Sequence, residues 1–92
     1  MKVRVKFYAA FKEFFNAEER ELELDGRARV GDLLAGLCDS EECRKKLFNE
    51  AGNLRRDVKL LRKGDNVQFL VDVQAELIDG DVIVMFPAML GG

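Results

Sequence analysis

Residues 2–8 alternate strictly, with Val3, Val5 and Phe7 on one side of an extended chain and Lys2, Arg4 and Lys6 on the other. A period of two predicts a strand with one buried and one wet face. From Ala9 to Phe15 the period changes. Phe11, Phe14 and Phe15 recur at i, i+3 and i+4, the spacing of a short helical turn. Three aromatics so close can line a ligand pocket, but plugging one end of a core is their commoner use. Alternation returns over Glu19–Leu24, with Leu22 and Leu24 inward and Glu21 and Glu23 outward, until Asp25-Gly26 interrupts it. Strand, turn element and strand predict an antiparallel hairpin with an elaborated connection.

Val30, Leu33, Leu34, Leu37 and Cys38 fall at i, i+3, i+4, i+7 and i+8, the clearest helix in the chain and the natural cover for one sheet face. Gly31 and Gly36 cost that helix up to about 1 kcal/mol each relative to Ala. Small residues there let it lie close to the sheet. Ser40 is placed to cap a second short helix over Glu41–Phe48, whose acids come first and whose bases Arg44, Lys45 and Lys46 come late. Ala51-Gly52-Asn53 breaks it. Val58–Arg62 and Val67–Val71 read as strands around the turn Lys63-Gly64-Asp65-Asn66, and Val73–Leu77 fits no single period. After the turn Asp79-Gly80-Asp81, the strand Val82–Phe86 is apolar on both faces, and Pro87 stops it. Such a strand is either central and covered on both sides or keeps one face for a partner. With Val82, Val84 and Phe86 set toward the helix-covered core, Ile83 and Met85 point to the open side of the sheet. Arg4 and Lys6 flank them there. The competing arrangement has the Ser40–Phe48 helix covering Ile83 and Met85.

Ninety-two residues with 48% hydrophobic and 35% charged composition make one small globular domain. The net charge of −2 gives no basic field that would attract nucleic acid or an anionic membrane. No apolar run approaches a membrane span, and the alternating start lacks a signal-peptide core, so a cytoplasmic location is expected. The chain has no histidine and two cysteines, too few soft ligands for a zinc site, and no metal site is expected. Cys38, on the apolar stripe, reads as a reduced core thiol and Cys43 as a surface thiol, with a redox role for the pair left open.

The sequence ends Phe86-Pro87-Ala88-Met89-Leu90-Gly91-Gly92. Two terminal glycines can enter a channel too narrow for any side chain and adopt angles a Cβ forbids. A free carboxylate is a poor electrophile, so using it calls for activation, most simply as an acyl-adenylate made from ATP. The pattern therefore points to an acyl group handed over to partners. Residues 1–87 are read as the folded domain and residues 88–92 as a reactive tail, mobile until a partner holds Met89 and Leu90.

Leu77-Ile78-Asp79-Gly80-Asp81, Phe86-Pro87 and Gly91-Gly92 together resemble the ending of the β-grasp, ubiquitin-like sulfur carriers, of which the small subunit of molybdopterin synthase is the nearest type. Weaker matches are Phe7 with Ala9-Ala10, Val30-Gly31-Asp32-Leu33-Leu34 and Lys63-Gly64. Ala88 stands where a second proline is frequent, and Arg29 where a capping Ser or Thr is frequent. The resemblance implies an α+β, β-grasp fold: a mixed sheet covered on one face by a helix, its first and last strands parallel neighbours at the centre. It also implies that an adenylyltransferase related to the ubiquitin-activating enzymes, using ATP, activates Gly92 for conversion to a thiocarboxylate. The large subunit of molybdopterin synthase would then receive the tail, with Gly91 and Gly92 reacting and Phe86, Pro87, Met89 and Leu90 contacting partners beside Ile83, Met85, Arg4 and Lys6. The chain binds no cofactor itself in this reading and is not an enzyme alone. A lysine-conjugated protein modifier needs the same tail and activation, and a non-covalent β-grasp interaction module needs neither.

Overall fold

The structure, a computed structural model, describes residues 1–64 and 66–88. Eight elements follow one another: β1 (Lys2–Phe7), α1 (Ala10–Phe15), β2 (Glu19–Glu23), α2 (Val30–Leu37), α3 (Glu41–Leu47), β3 (Val58–Lys63), β4 (Gln68–Phe69) and β5 (Val82–Pro87). The strands form one mixed sheet in the order β2-β1-β5-β3-β4. β1 and β2 pair antiparallel, β1 and β5 parallel, and β3 runs antiparallel to both β5 and β4. This is the β-grasp arrangement, with first and last strands adjacent at the centre. β4 is shorter than the Val67–Val71 run, and Val73-Gln74 forms a turn before Glu76 bridges Arg29.

The core lies on one side of the sheet. Val3, Val5 and Phe7 of β1 meet Val30, Leu33, Leu34 and Leu37 of α2, and Cys43 and Leu47 of α3 join the same cluster. Phe15 stacks on Phe7 at 4.5 Å and Phe14 meets Phe15 edge-on, so the three phenylalanines close one end of the core. An added Cβ at Gly36 would come within 3.0 Å of a Leu22 methyl, so its small size lets α2 lie close against β2. The start of α2 works without a Ser or Thr cap. Asp32 accepts from the Arg29 N–H, and the carbonyls of Ala75 and Val73 accept from Val30 and Gly31. The Arg29 guanidinium donates to the Gln74 carbonyl, holding that loop against the helix.

Three expectations are corrected. Ile83 and Met85 are fully buried, on the helix side of the sheet, because β5 registers Ile83 beside Val5 and Met85 beside Phe7. A shift of one residue exchanges the two faces of a strand. Val82, Val84 and Phe86 consequently look out on the open side. The cysteines also change roles. α2 ends at Leu37, and Cys38 takes an extended C-cap conformation that carries it off the stripe. The first turn of α3, capped by Ser40 accepting from the Cys43 N–H, brings Cys43 inside, where it is disulfide-bonded to Cys38. Pro87 is also the last residue of β5, not the first beyond it; opposite Val58 at the strand end, its missing N–H breaks no longer ladder.

Candidate functional site

The open face of the sheet is built by parity. Val82, Val84 and Phe86 stand across from Lys63, Leu61 and Lys59 of β3, and Val82 and Val84 lie beside Arg4 and Lys6 of β1. Leu61 is in turn paired with Phe69, whose ring centroid is 6.4 Å from that of Phe86. An apolar strip thus runs across three strands through Val84, Leu61 and Phe69, with Phe86 beside it. Arg4 is offset by Glu19 at 3.1 Å and Glu21 at 3.8 Å on β2. Lys6, Lys59 and Lys63 make no ion pair among the described residues, so the net positive charge of this face sits there.

The turn before β5 sets this register. Asp79 accepts from the Lys2 N–H, and the Gly80 N–H donates to the Lys2 carbonyl, both at 2.8 Å. Gly80 has φ of +88°, a conformation costly for a residue with a side chain. Asp81 accepts from the Ile78 N–H at 2.8 Å and from Arg62 at 3.1 Å, and its carbonyl accepts from Arg4. Arg62 also donates to the Glu76 carbonyl at 2.5 Å. The acids of Asp-Gly-Asp are occupied in holding backbone, as their turn position predicts, and are not free for acid–base chemistry.

At its far end β5 is held from both sides. The Tyr8 N–H donates to the Met85 carbonyl, Pro87 pairs with Val58, and the Ala88 N–H donates to the Asp57 carbonyl at 2.9 Å. Asp57 is forked by Arg55 through contacts of 3.0 and 3.2 Å, and Arg55 donates also to the Lys45 carbonyl. The side-chain hydrogen bonding between Arg55 and Asp57 pulls the Asp57 carboxyl below its ordinary range and raises the Arg55 guanidinium. The tail root is therefore fixed relative to the open face.

Of the residues singled out from sequence, Arg4, Lys6 and Phe86 lie on this face, whereas Pro87, paired with buried Val58, has the inner parity at the strand end. Ile83 and Met85 do not; they are core. Met89, Leu90, Gly91 and Gly92, with the expectation that they are mobile, lie outside the described residues. Sequence reasoning missed Val82, Val84, Leu61, Phe69, Lys59 and Lys63 as one surface. The alternation Lys59-x-Leu61-x-Lys63 against buried Val58 and Leu60 was a signal for it. Among the described residues, no group of three or more His, Cys, Asp or Glu side chains is placed to hold a metal ion. No helix there is long and apolar enough to cross a membrane.

Residues 5–92 match the ThiS family. The chain belongs to the ThiS family. It is similar to the small archaeal modifier protein 3 of Haloferax volcanii, 29% identical over 92 residues and covering all of both chains. Among solved structures, this ThiS-family chain is similar to SAMP1 from Haloferax volcanii, with TM-score 0.82, 25% identity and full coverage of both chains. It is also similar to a Pyrococcus furiosus protein provisionally assigned as molybdopterin converting factor, subunit 1. That match has TM-score 0.72 and 34% identity, covering 95% of this chain and 97% of the other. The chain is thus a member of a ubiquitin-like, β-grasp sulfur-carrier family.

Proposed function

We propose that this chain carries sulfur on Gly92 and donates it, as small subunit of a molybdopterin synthase, to the pterin precursor of the molybdenum or tungsten cofactor. An ATP-using adenylyltransferase joins the Gly92 carboxylate to AMP, releasing pyrophosphate. A sulfide-equivalent donor then displaces AMP and leaves a thiocarboxylate. The large synthase subunit supplies the acids and bases of the transfer, in keeping with an Asp79-Gly80-Asp81 turn whose carboxylates are engaged in holding backbone and Arg62. Membership of the ThiS family and the 34% identity to the Pyrococcus furiosus protein support this reading. ATP-dependent activation places it in the cytoplasm.

The single observation that carries the docking half is the apolar strip of Val84, Leu61, Phe69 and Phe86 rimmed by Lys6, Lys59 and Lys63. Interfaces of this kind use apolar anchors for affinity and rim charge for orientation and on-rate. Both the activating enzyme and the large subunit bind here in turn, so they compete. A second reading, conjugation of Gly92 to lysines of other proteins, is favoured by the similarity to small archaeal modifier protein 3.

Intact mass of the protein from its native host separates the readings. It tests first for a free Gly92 carboxylate, then for one oxygen exchanged for sulfur or for conjugates of higher mass. Deletion of Gly92 is expected to abolish loading by the activating enzyme while the fold is kept. The carboxylate then falls short by one residue, about 3.5 Å when extended, where 1 Å already costs roughly a hundredfold. Thiocarboxylation of the shortened chain at the full rate would overturn the mechanism.

A further inference from the structure

β4 is an edge strand with its apolar side chains facing out. Its register on β3 pairs Leu61 with Phe69 and Arg62 with Gln68, and the Leu70 N–H donates to the Leu60 carbonyl at 2.9 Å. Antiparallel ladders alternate, so the backbone groups of Gln68 and Leu70 turn toward β3 and those of Val67, Phe69 and Val71 turn away. The side chains alternate in step. Leu70 is buried in the core, whereas Val67, Phe69 and Val71 are 68%, 58% and 76% exposed. Edges of this kind are usually protected by charge or proline, and residues 67–71 contain neither. The same three residues offer both the free backbone and the apolar surface.

Their spacing says what fits. Val67, Phe69 and Val71 read the same from either end. In an antiparallel pairing centred on Phe69, that residue faces its own copy and Val67 faces Val71 of the other molecule. The outward backbone groups are the ones such a pairing uses. A two-fold axis through the Phe69 pair closes the contact. We propose that the β4 edge is a self-association site, at which two copies of this chain join into one continuous sheet.

The exposed area sets its strength. At most the exposed two-thirds of three side chains is removed from water on each copy, no more than roughly 600–700 Å² in all, against the ~1,200 Å² where stable interfaces begin. The pairing is therefore weak and reversible, with a dissociation constant on the order of 100 μM. Because all three side chains share the open face, the axis stands perpendicular to the sheet. Both open faces then lie on the same side, with Phe86 left outside the contact; Phe69 is shared with the proposed docking strip, but self-association of the isolated chain is tested without either partner and does not rest on the sulfur-carrier reading.

Sedimentation velocity on the full chain, from micromolar to near-millimolar concentration, is expected to show a monomer–dimer equilibrium. Phe69→Lys should raise its dissociation constant at least about thirtyfold, as loss of a central anchor does, with an unchanged thermal midpoint. Register is read by cross-linking with oxidised glutathione. Phe69→Cys should form a covalent dimer, since paired Cα atoms about 5.5 Å apart suit a disulfide. Val67→Cys should not link to itself but should link to Val71→Cys in a mixture. A monomer at every concentration, a dimer untouched by Phe69→Lys, or self-linking of Val67→Cys as efficient as that of Phe69→Cys overturns the proposal.

Discussion

The two faces of β5 differ by one residue in sequence and by the whole depth of the protein in environment. Ile83 and Met85 are without solvent contact, packed among β1 and the helices, while Val82 and Phe86 remain half-exposed on the other side. Both faces are apolar, yet only one is needed to hold the sheet and helices together. The second is surplus to stability, and apolar surface kept open on a central strand is what a docking function requires. Val84, although shielded by its neighbours, stands outside the core cluster and belongs to that second face.

The largest effect expected is on the buried face. Met85→Glu places a carboxylate in an apolar core with no partner, a substitution in the most destabilising class. Far-UV circular dichroism should show no cooperative unfolding transition. Met85→Ala should fold, but lose about 2–5 kcal/mol in urea titration. Equal stability of either variant and the parent chain would place Met85 outside the core.

Why the faces were exchanged in the sequence reading is instructive. β1 was legible because lysine and arginine alternate with valine, and α2 because its stripe leaves polar gaps. The parallel pairing of β1 and β5 followed from resemblance and holds. Val82–Phe86 carries no polar residue, so alternation gives no sign of which parity faces inward. Only the register on β1, fixed by Asp79, Gly80 and Asp81, decides it, and that register is a long-range fact. The cysteines were misjudged for a related reason. The stripe continues through Cys38, but the helix stops at Leu37, and helix ends are weakly marked in sequence.

Arg62 is the exception on the inner side and gives the next effect. By register it shares a face with Ile83, yet it lies at the sheet end, where its guanidinium reaches Asp81 and the Glu76 carbonyl. Arg62→Ala leaves an Asp81 side chain only 9% exposed without its cation. A loss of about 1–3 kcal/mol is expected from the group left unpaired. Urea titration checks the size, and restoration by Asp81→Asn in the same chain would trace it to the carboxylate.

Phe86→Asp tests the outer face. Surface substitutions typically change stability by less than about 0.5 kcal/mol, and partial burial of Phe86 raises this to about 1 kcal/mol. Affinity for the activating enzyme and the large subunit should fall together by thirtyfold or more, about 2 kcal/mol, as at a central anchor. Isothermal titration of each partner is the measurement. Loss of one partner only would mean two docking surfaces, and full binding of both would move the interface off this face.

The smallest effect belongs where the two faces end, at the tail root. Asp57 is held below the ordinary carboxylate range chiefly by its hydrogen bond with Arg55. A carboxyl depressed in the folded state stabilises it above the unfolded pKa, and that contribution is lost as pH falls through the folded value. Asp57→Asn should therefore lower stability slightly near neutrality, and the gap to the parent chain should close in acid. Both groups are exposed, so screening keeps the effect small and salt should reduce it further. The Ala88 N–H bonds the Asp57 carbonyl, not its carboxylate. Amide exchange at Ala88 should accordingly be the same in both proteins at neutral pH. Faster exchange in the variant would mean that the ion pair, and not the ladder of β5, fixes the origin of the tail.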